Sequence, residues 1–95
     1  MDYSATDWFL VEYDDLPDEI VTQIDRDLLR VLEEPGSAFA RAGRIEGSPD
    51  GTYKGAWIMR SRVTVDGATR FYNIYWTYGD EGETWVLLIG LVEAP

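Results

Sequence analysis

The sequence predicts an α+β domain, in which a small twisted, mainly antiparallel sheet carries one or two N-terminal helices on one face, in the order β-α-(α)-β-β-β. Three observations predict this class. Apolar residues recur every fourth position from Ile20 to Leu32, as in an amphipathic helix. The stretch 54–92 contains three runs of apolar and aromatic residues separated by glycine-containing turns, as in a β-meander. A length of 95 residues supports one modest core, so we expect residues 1–95 to form a single domain.

The first third of the chain is predicted to supply one strand and the main helix. Residues 8–13 (Trp-Phe-Leu-Val-Glu-Tyr) are rich in β-formers and bounded by polar residues, which favours a strand. Pro17 suits the first turn of a helix, where the acids Asp18 and Glu19 interact favourably with the helix dipole. The helix is expected to run for about four turns and to end at the Glu-Glu-Pro-Gly segment 33–36.

Residues 37–55 leave more than one interpretation open. Segment 37–43 is predicted to be either a short second helix, capped by Ser37 and closed by Gly43, or an ordered loop anchored by Phe39. Segment 44–55 contains three glycines and one proline, which predicts a turn-rich connection to the meander.

The strands of the meander are predicted at 54–65, 68–78 and 84–92. Asp66-Gly67, between the first two, is the strongest local signal in the chain, because both positions of a type I′ turn need positive φ. A two-residue turn pairs Val65 with Ala68. One face then carries the residues that the helix is expected to cover, namely Trp57, Met59, Val63, Tyr72, Ile74 and Trp76. The opposite face carries Ala56, Ile58, Arg60, Arg62, Phe71, Asn73, Tyr75 and Thr77.

The position of Arg70 depends on this turn. With a two-residue turn, Arg70 lies at the margin of the helix-covered face. With a three-residue turn the pairing shifts by one residue, and Arg70 joins Arg60 and Arg62 on the opposite face. The sequence leaves both registers open, so a shared site for the three arginines depends on the turn.

Composition restricts the chemistry that the chain can perform. It contains neither cysteine nor histidine, which excludes disulfides, thiolate metal sites and the commonest general base. It lacks an apolar run long enough for a membrane helix and a basic-then-apolar leader, so we expect a cytoplasmic protein without a membrane partner. The net charge is −10, with eleven acids and two arginines at 1–40 but six basic and three acidic residues at 41–70. An anionic ligand is therefore expected only at the middle third.

Arginines and tyrosines of the meander form the one constellation with chemical possibilities: Arg60, Arg62 and Arg70 beside Tyr72 and Tyr75, with Lys54 at the start of the first strand. Arginines can hold a phosphodiester bidentately and neutralise charge at a scissile phosphate, while tyrosines can stack bases or act as weak acids. The simpler interpretation, which composition alone favours, is that these arginines cover aromatic faces and keep a sheet surface soluble. No nucleophile, phosphate-loop, dinucleotide or metal motif is present, so no cofactor and no metal are expected.

Three strand motifs carry a resemblance to a known family: Gly55-Ala-Trp-Ile-Met-Arg60, Arg70-Phe-Tyr-Asn-Ile-Tyr75 and Val86-Leu-Leu-Ile-Gly-Leu-Val92. They resemble the Leu-Trp-Glu-Leu-Arg, Tyr-Arg-Val-x-Tyr and Val-Leu-Leu-His-x-Phe strands of RelE/ParE superfamily toxins, especially the phage-derived, HigB-like branch. The resemblance implies a small sheet with N-terminal helices that cleaves mRNA on the ribosome or, in the ParE branch, inhibits gyrase, and that a cognate antitoxin blocks. It implies catalytic roles for Arg70, at the scissile phosphate, and for Arg60.

The chain departs from the family at positions that carry its chemistry. Ala56 and Ile58 stand where family nucleases place lysine or glutamate, and residues 91–93 (Leu-Val-Glu) stand where they place basic residues or histidine. The sequence therefore supports two function classes. One is a toxin-like protein of a toxin–antitoxin module, ParE-like or degenerate, and the other is a non-catalytic acidic interaction protein that binds a basic partner or mimics nucleic acid. A merely well-solubilised or halophilic surface is an equal explanation of the acidity.

Overall fold

The protein has an α+β fold with its helices N-terminal to the long strands, as predicted. The computed structural model describes residues 3–44, 55–79 and 81–92, the last six of them by backbone alone. The elements are β1 (Ser4–Ala5), α1 (Asp7–Asp14), α2 (Asp18–Glu33), β2 (Gly43–Arg44), β3 (Trp57–Val65), β4 (Ala68–Tyr78) and β5 (Thr84–Val92).

The described strands form one mixed, mostly antiparallel sheet in the order β1-β5-β4-β3-β2. Strands β3, β4 and β5 pair antiparallel with their sequence neighbours, which confirms the predicted meander. The two-residue strands β1 and β2 extend it at either edge, β1 parallel to β5 and β2 antiparallel to β3. A bulge interrupts the β4–β5 pairing, where Tyr75 pairs with Leu88 and Trp76 with Val86.

The turn between β3 and β4 has two residues. Asp66 and Gly67 both adopt positive φ, at 50° and 78°, and Val65 pairs with Ala68. This is the predicted turn, because an Asp-Gly pair accepts the two left-handed positions that bring right-twisted strands together. The three-residue alternative is wrong, and Arg70 consequently pairs with Val63.

The predicted strand at residues 8–13 is wrong, because these residues lie in helix α1. Thr6 caps the helix, its Oγ1 accepting a hydrogen bond from the backbone N–H of Phe9 at 3.1 Å. One helical turn apart, Phe9 and Tyr13 point to the same side with their ring centres 5.4 Å apart, and Phe9 is fully buried. Capping and this burial outweigh the β-propensity of the run. The edge position beside β5 is taken by Ser4–Ala5 instead.

Helix α2 confirms the predicted amphipathic helix and covers the inner face of the sheet. Both helices and the inward-facing strand residues contribute to one buried cluster: Phe9, Ile20, Ile24, Leu28, Val31, Ala40, Met59, Val63, Tyr72, Ile74, Trp76 and Val86. The helix also buries a carboxylate, Asp27, which accepts a hydrogen bond from Ser61 Oγ of β3 at 2.7 Å. Because burying a charge is costly unless it is hydrogen-bonded, this contact fixes the position of α2 on β3.

Residues 37–42 form an ordered loop, so the second-helix alternative is wrong. Ser37 Oγ accepts from the N–H of Ala40 at 3.2 Å, and the carbonyl of Ala40 accepts from the buried Trp76 Nε1 at 2.7 Å. Phe39 lies under the Arg30 guanidinium, 3.7 Å from ring centre to Cζ. The predicted connection 44–55 and its Lys54 fall largely outside the described residues. Ala56, predicted on the face opposite the helix, precedes β3 and is buried.

Candidate functional site

Two of the predicted site arginines lie on the outer face of the sheet, which α1 and α2 leave uncovered. Arg60 pairs across the strands with Asn73, and Arg62 pairs with Phe71. Both arginines are exposed, and Arg60 Nε donates to Asn73 Oδ1 at 3.3 Å. Neither arginine forms an ion pair within the described parts of the chain. As far as the described residues go, their guanidinium groups meet no carboxylate, which leaves them able to bind an anion.

The predicted Tyr75 shares this outer face. It is half-buried and pairs with Ile58, two pairs along the ladder from Arg60. A cavity of about 150 Å³ lies at the β2 side of the same face, lined by Ala42, Gly43, Ile58 and Arg60. Small-molecule sites usually measure roughly 300 Å³ or more, so this cavity suits at most one small group.

Arg70 and Tyr72 do not join this face. Arg70 is exposed on the inner side beside Val63, at the hairpin end of the sheet. Tyr72 is 5% exposed and belongs to the core, so stacking a base on its ring would require the ring to leave that core. The structure thus brings Arg60, Arg62 and Tyr75 together and separates them from the other two. Lys54 lies outside the described residues.

A second arginine cluster, which the sequence argument missed, lies at the opposite end of the inner face. The guanidinium carbons of Arg41 and Arg44 lie 4.5 Å and 4.7 Å from the centre of the Trp57 ring. Arg41 is further fixed by donating to the carbonyl of Pro35 at 2.8 Å and to the Tyr78 hydroxyl at 3.0 Å. This arrangement ties the 37–42 loop to the sheet. Both residues belong to the net-basic third, but their stacking on Trp57 depends on the β2–β3 pairing, which the sequence did not indicate.

Helix α1 presents a surface that the sequence argument also missed, because it assigned these residues to a strand. Trp8 and Val11 are each 63% exposed and Leu10 is 44% exposed. Three exposed carboxylates lie on the same helix or at its C-cap. We define the α1 surface as Asp7, Trp8, Leu10, Val11, Asp14 and Asp15. On a helix, Asp7, Val11 and Asp15 follow one another at four-residue spacing, and Trp8 neighbours Val11 at three.

Among the described residues, no cation forms an ion pair with the acids of the α1 surface. In the described segments, both ion pairs involve the buried Asp27, with Arg26 at 3.5 Å and Arg30 at 4.0 Å. Burial raises the pKa of Glu12, which lies between this surface and the core. The exposed carboxylates of α1 thus have no cationic partner within the described part of the chain.

The described residues contain no group of three or more acids that could hold a metal ion. None of their helices is long and apolar enough to cross a membrane. No family model, curated protein or solved structure matches the chain. Function is therefore inferred from the side chains and their geometry.

Proposed function

We propose that this chain is a non-catalytic interaction protein that binds a basic protein partner in the cytoplasm through its α1 surface. The observation that carries the proposal is the set of exposed carboxylates on α1, which form no ion pair with any described residue. Like charges held close together repel one another, and a cationic partner offsets that repulsion because each carboxylate attracts it. A partner that itself binds nucleic acid would present the required basic surface, and the acidic helix would cover or occupy it.

The placement of the predicted site residues supports a non-catalytic role. A three-arginine clamp on a phosphodiester needs Arg70 on the same face as Arg60 and Arg62, and the register puts it on the other face. The departures from the toxin family remove the other groups that would serve as acid or base. Binding needs none of these groups.

The proposal is tested by titrating the protein with a fluorescein-labelled oligolysine peptide and measuring anisotropy at increasing NaCl. We expect binding to weaken steeply with salt, because exposed charges are screened. The variant Asp14→Asn/Asp15→Asn should bind about tenfold more weakly, since it removes two charges and each charge pair about 5 Å apart in water contributes roughly 0.8 kcal/mol. The matched control Asp66→Asn/Glu81→Gln removes two exposed charges outside the helices and should bind like the wild type.

Two results of this titration would contradict the proposal. The first is that the control pair weakens binding as much as the α1 pair, which would make the attraction a property of net charge alone. The second is that oligolysine does not bind at low salt. Asp66→Asn is a safe control for the fold, because asparagine accepts the positive φ of that turn position.

A toxin-like function is the second candidate, and the shared outer face of Arg60, Arg62 and Tyr75 favours it. Two exposed arginines beside a tyrosine can hold an RNA backbone and stack a base. This candidate expects a cognate antitoxin and growth arrest when the chain is expressed alone. The arrest should be relieved by Arg60→Ala/Arg62→Ala and retained by the control Arg70→Ala.

Expression without growth arrest would remove the toxin-like candidate. If arrest occurs, a gyrase supercoiling assay and a translating-mRNA cleavage assay separate the ParE-like form from the ribosome-dependent form. Loss of cleavage on Arg70→Ala would contradict the geometry, because the described register holds Arg70 away from the other two arginines.

A further inference from the structure

The apolar side chains of the α1 surface indicate which structural element of a partner binds there. Trp8 and Val11, three residues apart, lie on the side of α1 away from Phe9 and Tyr13, which face the core, whereas Leu10 lies nearer the core side and is less exposed. Single exposed apolar residues are common on proteins, but here three large ones lie within four positions of an eight-residue helix. Trp8 is also largely exposed, and tryptophan is among the residue types enriched at the positions that contribute most of the binding energy in protein interfaces.

Charge decides what can cover this patch. Asp7 precedes it, and Asp14 and Asp15 follow it, so the apolar side chains are bounded by carboxylates at both ends. A second copy of the chain in a two-fold contact would place these carboxylates opposite their own equivalents, which is unfavourable. An anionic lipid surface would be repelled for the same reason. The patch therefore fits an occupant that is apolar at its centre and cationic at its ends.

The backbone decides the form of that occupant. The N–H and C=O groups of a helix interior are already hydrogen-bonded, so α1 offers no edge to which a strand could add. It offers ridges and grooves of side chains, into which another helix packs. Eight residues span about 12 Å, which two to three turns of a partner helix can cover.

We infer that the α1 surface binds a basic amphipathic helix, whose apolar stripe covers Trp8 and Val11 and whose flanking lysines or arginines pair with Asp7, Asp14 and Asp15. This inference rests on the proposed function and names the partner element that it requires. Trp8 and Val11 supply contact area that salt does not screen, while the carboxylates set the charge preference. Binding then has a component that survives high salt.

The test compares two labelled 18-residue peptides of identical leucine and lysine composition. In one, leucines follow the i, i+3, i+4, i+7 pattern, and in the other they are scattered so that no apolar face forms. At 0.4 M NaCl we expect the patterned peptide to bind the wild type at least about tenfold more tightly than the scattered one. Trp8→Ala should abolish that preference. Phe71→Ala, an exposed aromatic on the outer sheet face, should leave it intact.

The peptide comparison distinguishes failure of the inference from failure of the proposed function. If both peptides bind equally, and Asp14→Asn/Asp15→Asn weakens both, the proposed function stands and the amphipathic partner is overturned. If neither peptide binds at low salt, both fall. Sedimentation of the chain alone gives the remaining case, because a dimer that Trp8→Ala dissociates would make a second copy the occupant and overturn the inference. Since Trp8 is mostly exposed, circular dichroism should show the same fold in the variant.

Discussion

The hydrogen bond between Asp27 and Ser61 joins the main helix to the sheet, and removing it should have a measurable cost. Ser61 is fully buried and donates to a carboxylate that is 3% exposed, at 2.7 Å. Hydrogen bonds to charged groups contribute about 1.5–3 kcal/mol. Arg26 and Arg30 lie near the other carboxylate oxygen, but both are largely exposed and compensate little. Ser61→Ala should therefore lower the free energy of unfolding by about 2 kcal/mol.

Urea unfolding followed by far-UV circular dichroism measures this loss. With a slope of about 2 kcal/mol per molar urea, the midpoint should fall by about 1 M while the slope stays unchanged. Asp27→Ala should cost a similar amount, because it leaves the Ser61 hydroxyl buried without its acceptor. The double variant should cost less than the two single losses combined, by about 1–2 kcal/mol. Thr22→Ala, on the exposed side of α2, is the control and should change stability by at most about 0.5 kcal/mol.

This role of the hydrogen bond is refuted if the free energy of unfolding of Ser61→Ala lies within about 0.5 kcal/mol of that of the wild type. It is equally refuted if the two single losses add without coupling, since residues in direct contact are expected to be coupled. Either result would mean that α2 is not held on β3 through this pair.

Three further predictions concern stability. Burial, reinforced by a 2.7 Å hydrogen bond to Asp25, raises the pKa of the Tyr13 phenol above its usual range. The protonated phenol therefore stabilises the folded state below about pH 10, and this contribution is lost at higher pH. When urea unfolding is measured from pH 9 to 11, the free energy of unfolding should fall more steeply in the wild type than in Tyr13→Phe. Equal slopes against pH would contradict this. Gly67→Ala should cost about 1–2 kcal/mol in the same assay for its positive φ alone, because nothing lies within 4 Å of an added Cβ; a neutral result would argue against the turn. Trp76→Phe leaves the Ala40 carbonyl without its donor and opens space in the core, so the free energy of unfolding should fall by about 2–4 kcal/mol. A fall of less than about 1 kcal/mol would show that the loop 37–42 is not anchored there.

The features of the fold that follow from local spacing were predictable from the sequence. The i, i+4 apolar pattern identified α2, and the Asp-Gly pair identified the hairpin, whose register the structure then settled. Alternation along β3 and β4 then correctly placed Met59, Val63, Ile74 and Trp76 in the core. These predictions succeeded because each depends on residues close together in sequence.

Helix α1 shows where such reasoning fails. Its hydrophobic residues are β-formers without a clear helical stripe, and what makes them helical is the Thr6 cap together with burial of Phe9 against distant parts of the chain. The error also concealed the exposure of Trp8 and Val11, because a strand would have alternated them to opposite faces. The candidate site was therefore not visible until the helix was in place.

The arginines illustrate a second limit. Whether Arg60, Arg62 and Arg70 share a face depended on one residue of register, and the sequence allowed both answers. The stacking of Arg41 and Arg44 on Trp57 depends on the two-residue strand β2, which carries no sequence signal of its own. Short elements and cross-strand neighbours are set by tertiary pairing rather than by local pattern.

We propose contact with the partner through the α1 surface and not through the outer face of the sheet, and the two surfaces can be told apart residue by residue. The most direct measurement is a nitrogen-15 NMR titration of the labelled protein with the patterned leucine–lysine peptide. We expect the shifted amide signals to cluster at residues 7–15, while those of 60–62 and 71–75 on β3 and β4 stay in place. Shifts confined to β3 and β4, with residues 7–15 unchanged, would contradict it.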